Sequence, residues 1–400
     1  MENQLIIEQK TQRIESIDLL RGIVIIIMTL DHVRDYFHAE AFLFDPTDMK
    51  QTTVPVFLTR WITHFCAPVF VFLAGTSAFQ FGNTKGRQAL SSFLLKRGIW
   101  LILLELTVIN FGWFSNIEFA FFALTVIWAL AIGMIFLSFL IYLPLNWIFV
   151  FGILLIFGHN SLDSIHLGQP GSSEATWWSL IHEQSLVRLG SEHLVFIGYP
   201  IIPWIGVMAL GYYLGSLYTA KYSPLKRKQV LMYSGIILTT LFILIRFTNL
   251  YGDPSQWSVQ TAFSHTMLSF LNTTKYPPSL LYLLMTLGPA LLVLAFTENL
   301  TGKLAQEVLI FGRVPMFYYI VHIYTIHILA FMAAALTGRK ISDFVLSGWV
   351  TGVPELKGYG FSLLITYLVF ALVVIVLFPV CKWYDSYKRN NRDKWWLSYL

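Results

Sequence analysis

Residues 359–382 read YGFSLLITYLVFALVVIVLFPVCK, and Lys382 is the first charge in the run. About 20 mostly apolar residues make a helix long enough to cross the hydrocarbon core of a bilayer. Comparable runs fall near 17–37, 55–81, 93–112, 118–141, 145–158, 195–218, 229–247, 277–297 and 305–335. The fifth is short, and the ninth holds Gly312 and Pro315, which predicts a break or a kink there. The pattern predicts an all-α fold, a polytopic integral membrane helical bundle of about ten transmembrane helices. It divides the chain into an N-terminal segment 1–16, a transmembrane domain 17–387 and a C-terminal tail 388–400. Composition agrees: 56% of the 400 residues are hydrophobic and 12% charged, whereas a soluble domain carries about twice that charged fraction. The 16% aromatic content suits belts at two membrane interfaces.

Charge is distributed unevenly among the connecting segments. Lys85, Arg87, Lys96 and Arg97 follow the second run, and Lys221, Lys226, Arg227 and Lys228 the sixth. Lys382, Lys388, Arg389, Arg392 and Lys394 close the last. With ten spans these clusters share one side with both termini, and the positive-inside rule makes that side cytoplasmic. The opposite loops are acidic, with Glu40, Asp45 and Asp48 in 38–54 and Asp163, Glu174, Glu183 and Glu192 in 159–194. The net charge of +5 is therefore a topology signal, and a nucleic-acid partner is excluded. Cys66 and Cys381, far apart in apolar surroundings, form neither a disulfide framework nor a metal spacing. Residues 1–16 are mixed in charge with no cleavage signal after them. The expected location is a bacterial cytoplasmic (inner) membrane, with the lipid bilayer as first partner.

The first run is not an ordinary lipid anchor. It carries Asp18, Arg21, Asp31, His32, Arg34 and Asp35. Each charge costs a few kcal/mol or more to insert at the centre of a membrane, so these groups should face a polar interior. Arg21 and His32 are eleven residues apart, about three turns plus 20°, which puts them on one helix face roughly 16 Å apart along the axis. Asp18 lies one turn before Arg21 and Asp35 one turn after His32. The second run has Arg60 and His64 on one face at a spacing of four. Two neighbouring antiparallel helices would bring His32 and His64 to a shared polar cavity.

Ser16-Ile17-Asp18-Leu19-Leu20-Arg21-Gly22, followed by Asp31-His32, is similar to the opening of the membrane-bound acyltransferase superfamily. That group includes the acyltransferase 3 family and the heparan-alpha-glucosaminide N-acetyltransferase family. The likeness is greatest to bacterial membrane proteins grouped with the latter. It extends over about residues 15–390, through His64-Phe65-Cys66-Ala67-Pro68-Val69-Phe70, Tyr199-Pro200 with Pro203-Trp204, and Lys275-Tyr276-Pro277-Pro278-Ser279-Leu280. Phe311-Gly312-Arg313-Val314-Pro315 with Tyr319 and His322 completes it. The arginine–histidine pair treated as catalytic in the acyltransferase 3 family corresponds to Arg21 and His32. In the animal enzyme of the other family the active-site histidine lies between the first two spans or at the second. Here that interval holds only His38, and His64 sits inside the second run, so His32 and His64 both stand as candidate bases.

The resemblance implies transfer of an acyl group, chiefly acetyl, from cytoplasmic acetyl-CoA (acyl-CoA) to a hydroxyl or amine of an extracytoplasmic sugar or glycan. A thioester needs a base for the incoming nucleophile and positive charge for the oxyanion. His32 or His64 would supply the first and Arg21 or Arg60 the second, with Asp31 or Asp35 holding the imidazole tautomer. Arg21, with Asp18 beside it, together with Lys275 and Arg313, would meet the CoA phosphates. A proton-coupled transporter or flippase is the alternative use of the same ionisable groups.

No metal is expected. His322 and His327 are five apart, about 140° around a helix, so they share no face. His159, His166, His182, His193 and His265 lie in or near the outer loops, and most of them are read as solvated. Trp177, Trp178 and Trp257 are read as belt residues that could also stack on a sugar.

Overall fold

The structure, a computed structural model, describes residues 14–398 apart from 170, 299, 301 and 392. Most of the expected segment 1–16 and Arg392 lie outside the described residues. Each of the ten runs is helical over most of its length. α1 is Glu15–Phe37; the second run forms α2 (Val54–Thr63) and α3 (Cys66–Lys85). The third forms α4 (Arg87–Leu104), a widened π turn at Glu105–Ile109 and α5 (Asn110–Phe114). After strand β1 (Phe121–Leu124) come α6 (Val126–Leu140), α7 (Leu145–Gly158) and α8 (Ser173–Ile181). Strands β2 (Ser185–Leu189) and β3 (His193–Ile197) precede α9 (Ile201–Gly215), α10 (Pro224–Thr248), α11 (Phe263–Leu271) and α12 (Leu280–Thr297). The ninth run splits into α13 (Lys303–Arg313) and α14 (Pro315–Leu336), and the last forms α15 (Leu363–Asn390). Among the described residues, seven helical stretches are long and apolar enough to cross a membrane. α6 is apolar but shorter, and α1 carries the six ionisable groups. The chain is a helical membrane protein.

Two runs need correction. Those at 118–141 and 195–218 begin as strands: β1 pairs parallel with β3, Phe121 opposite Leu194, and β2 pairs antiparallel with β3. Short apolar runs do not distinguish a buried strand from a helix by periodicity. Here Glu105 settles the matter from another helix. Its carboxylate accepts from the backbone N–H and hydroxyl of Thr125, at 2.5 and 2.7 Å, at the start of α6. Asn110 brackets Ala123 of β1, accepting from its N–H at 2.8 Å and donating to its carbonyl at 3.2 Å.

The two broken runs have local causes. Pro68 has no N–H for the carbonyl four residues back, that of His64. The α2–α3 break falls there, and the freed carbonyl accepts the Tyr282 hydroxyl of α12 at 2.7 Å. Pro315 opens α14 at a position where a helix needs no N–H. The bend at Val314 lets α13 pack on the beginning of α1 and α14 on its later turns. We call the end of the bundle where α1 begins proximal, and the end where it finishes distal.

Close backbone contacts fix two crossings. A β-carbon at Gly312 would lie 1.8 Å from the Asp18 carbonyl oxygen, and one at Gly211 1.9 Å from that of Phe72. The second contact joins α3 to α9, where Thr76 also donates to the Gly211 carbonyl at 3.0 Å. Gly211→Ala should cost about 1–3 kcal/mol or more. Thermal unfolding in detergent will read this as a melting point lowered by several degrees. An unchanged melting point would mean that α3 and α9 do not approach this closely.

Candidate active site

Successive residues on a helix point about 100° apart, so Asp31 and His32 serve different neighbours. Asp31 faces α2 and is bound by Arg60. Arg34 lies 3.0 Å from Asp31 and 2.6 Å from Asp35. All four side chains are buried. Two carboxylates and two guanidinium groups thus neutralise one another inside the bundle, as insertion into a membrane demands.

His32 faces α14. Its Nδ1 lies 2.7 Å from His322 Nε2, and His322 Nδ1 lies 2.9 Å from the Tyr318 carbonyl. A carbonyl only accepts, so His322 Nδ1 carries the proton and its Nε2 accepts. With both rings neutral, His32 Nδ1 then donates, which leaves His32 Nε2 with a free lone pair. The two ring planes are 19° apart, and the edge of the His32 ring meets Trp113 at 4.6 Å between centroids.

His32 opens into a distal cavity of about 400 Å³. Asp31, Arg34, Asp35, Asp45, Arg60 and Lys275 supply its charge, three of each sign. Phe44, Trp113, Phe196, Tyr199, Tyr276 and Trp349 supply aromatic surface. Burial pushes the Asp45 carboxyl up, but Arg60 and the Thr47 hydrogen bonds outweigh it and hold the group below the usual carboxylate range. For the Tyr276 phenol, burial is outweighed by Lys275 and then Arg60, which hold it below its ordinary value.

A second, proximal cavity of about 330 Å³ has a different character. Its charged lining is Arg21, Arg97, Arg313 and Lys388, all cationic, and the rest is mainly apolar. Arg21 is aimed by hydrogen bonds to Asp18 (2.8 Å), Ser77 (2.9 Å) and the Gly312 carbonyl (3.2 Å). Met28, Phe70, Val126 and Tyr319 line both cavities and form the wall between them.

A profile of the family described as heparan-alpha-glucosaminide N-acetyltransferase, catalytic, matches residues 13–250. The chain belongs to that family. No curated protein matches it. The family match covers Arg21, His32, Arg60, His64 and Arg97, whereas Lys275, Arg313, Tyr319 and His322 lie beyond it on the later helices.

The structure sorts the residues singled out in the sequence. His32, Asp31, Asp35, Arg60 and Lys275 line the distal cavity, and Arg21 and Arg313 the proximal one. Lys275 is therefore apart from the other cations grouped with it. Asp18 stands behind Arg21. His64 does not share the cavity of His32; it lines an adjoining cleft of about 210 Å³ and packs on Tyr282. Neither Asp31 nor Asp35 holds an imidazole, since both bind arginines. His38 pairs its backbone with Phe361 at the distal end, and burial and Arg34 push its imidazole down. Trp178 and Trp257 spend their indole N–H groups on the Ile165 and Arg246 carbonyls, and the tryptophans in the cavity are Trp113 and Trp349. The missed residue is His322, whose partner lies 290 positions away.

Removing Arg60 would leave Asp31 and Asp35 to share Arg34. Breaking a buried pair by deleting one partner costs about 3–5 kcal/mol. Arg60→Met should therefore unfold far more readily than the native protein, and Asp31→Asn in the same chain should restore much of the loss. A double-mutant cycle read by thermal unfolding measures the coupling. Purely additive effects would show that the two side chains do not interact.

Proposed function

We propose that this chain is a transmembrane acetyltransferase that binds acetyl-CoA in the proximal cavity and passes the acetyl group to an amine or hydroxyl of a sugar in the distal cavity. The observation that carries this is the pair of cavities meeting at one wall, the proximal one cationic and His32 at the distal one. The phosphates of CoA match Arg21, Arg97, Arg313 and Lys388, because guanidinium and ammonium groups are the usual phosphate partners. The pantetheine arm then runs past Ala74, Phe70 and Met28, along the roughly 16 Å of helix that separates Arg21 from His32. The charge-balanced, aromatic distal cavity suits a saccharide.

In this reading His32 Nε2 takes the proton of the acceptor amine or hydroxyl as that group attacks the thioester carbonyl. The C–S bond breaks, and the thiolate of CoA takes the proton back from His32. His322 is a positioning residue: it accepts from Nδ1 and so keeps Nε2 free. Tyr319, in the shared wall, offers a hydroxyl to the oxyanion. Loop charge supports a cytoplasmic proximal end, with segments 1–16 and 388–400 on the donor side of an inner membrane.

The test is the purified protein with labelled acetyl-CoA and a panel of amino sugars. His32→Ala should lower kcat by roughly 10²–10⁴ in a protein that still folds. Arg97→Ala and Arg313→Ala should raise KM for acetyl-CoA and leave that for acetyl-pantetheine, which lacks the nucleotide phosphates, nearly unchanged. Full activity in His32→Ala with none in His64→Ala would move the base to the second run. Full activity in both would defeat the assignment.

The positioning role has its own signature. Gln can accept a hydrogen bond from His32 Nδ1 and Phe cannot. His322→Gln should therefore retain more of kcat than His322→Phe, with KM for acetyl-CoA little changed in either. Equal loss in both variants would reduce His322 to packing.

A further inference from the structure

His159, at the end of α7, His182, at the end of α8, and Asp163 bring one ligand atom each to within 4.8 Å of one another. Both imidazoles are buried, at 2% and 1% exposure, not solvated as the sequence reading has them. His159 uses neither ring nitrogen in a hydrogen bond, and Nδ1 of His182 also lacks a partner. The remaining nitrogen, His182 Nε2, lies 3.0 Å from Asp163 Oδ1. Three imidazole nitrogens are thus enclosed without partners beside a carboxylate, and a buried polar group left unpaired costs free energy of about 1–3 kcal/mol.

We propose that His159, Asp163 and His182 bind a divalent transition-metal ion, Zn²⁺ in the first place, at a site separate from the acyl-transfer cavities. Two imidazoles and a carboxylate are a zinc donor set, with water in the fourth position. Ligand atoms around a tetrahedral zinc lie about 3.3 Å apart, so side-chain rotations close the present spacing onto an ion. The outer partners are in place. The Asn160 amide donates to Asp163 Oδ2 at 2.8 Å, and the Asn160 carbonyl oxygen accepts the Leu280 N–H at 2.8 Å. That arrangement orients the carboxylate with Oδ1 toward the histidines, the support that metal-binding carboxylates require. Asp163, with its side chain 22% exposed, gives the ion a way in. The bound ion ties the end of α7 to the segment leading into β2. Gln184, two residues past His182, lines the distal cavity, so the ion also steadies one wall of it.

The experiment uses the full chain, purified on a tag without histidines, stripped with a chelator and given Zn²⁺ or Co²⁺. The expected result is about one zinc per chain after desalting, measured by mass spectrometry. Cobalt should give visible absorption bands of a tetrahedral site that zinc abolishes, and zinc should raise the melting temperature. His159→Ala and His182→Ala should lose the uptake and the bands, while His166→Ala keeps both. Native protein that takes up no stoichiometric metal and melts identically with and without zinc overturns the proposal and gives the orphan nitrogens to water. Uptake undiminished in the His159 and His182 variants overturns it as well. The native titration needs no variant to fold, so these outcomes stand apart from any loss of stability.

Discussion

A membrane interior supplies no water to a charge, and α1 places six ionisable groups there. Some pair within α1, Asp18 with Arg21 and Arg34 with Asp31 and Asp35, and the rest of their needs are met by other helices, so much of the architecture around α1 follows from that requirement. Asp31 is satisfied by Arg60, which draws α2 against the later turns of α1. Arg21 is satisfied by Asp18, by Ser77 of α3 and by the Gly312 carbonyl at the end of α13. His32 is satisfied by His322, which holds α14 on the remaining face. One helix thus recruits four others through polar contacts, and the apolar packing fills in around them.

The breaks in the helices serve the same end. A continuous helix leaves no backbone polar group for a partner except at its ends. Pro68 frees the His64 carbonyl, and Tyr282 of α12 takes it. The bend at Val314 lets one run of sequence meet α1 twice, through α13 near Gly22 and through α14 near His32. The π turn at Glu105–Ile109 carries the buried Glu105 that anchors Thr125, a lining residue of the distal cavity. Irregular backbone at membrane depth is tolerated where protein or a cavity covers it, and here it occurs beside the cavities.

The positions of the runs, the polar nature of α1 and the placing of Arg21 and His32 at cavities along it were legible because they rest on local patterns: hydropathy over a span, and the angle between residues on one helix. The break at Pro315 was legible for the same reason. Two classes of fact were not. One is strand against helix in short apolar runs, which at 118–125 was decided by Glu105 and Asn110 from a different helix. The other is pairing between distant residues. His32 with His322 lies outside any local pattern, as does His159 with His182 across a loop. Asp31 or Asp35 was expected to hold an imidazole, whereas the helix turns Asp31 about 100° away from His32 and both carboxylates bind arginines.

The difference in charge between the two cavities bears on direction. The proximal lining is cationic, with Asp18 and Asp385 paired behind Arg21 and Arg313, and it would favour the anionic donor of the proposed reaction at that end of the bundle. The distal cavity, with three charges of each sign, has no such bias, and under the proposed function it would recognise an acceptor by hydrogen bonds and aromatic surface. An acetyl group is small and neutral, and it is the one part of the proposed donor able to approach the distal side without carrying charge through Met28, Phe70, Val126 and Tyr319. The wall that both cavities share therefore acts as a selector. In the proposed reaction the phosphates would stay where the cations hold them, and the reacting carbonyl would reach the wall where His32 offers its free nitrogen. Transfer in place, as proposed, would spare the protein the cost of moving a charged cofactor across the bilayer: a transferase needs only a fixed pair of cavities where a transporter needs one site open to each side in turn.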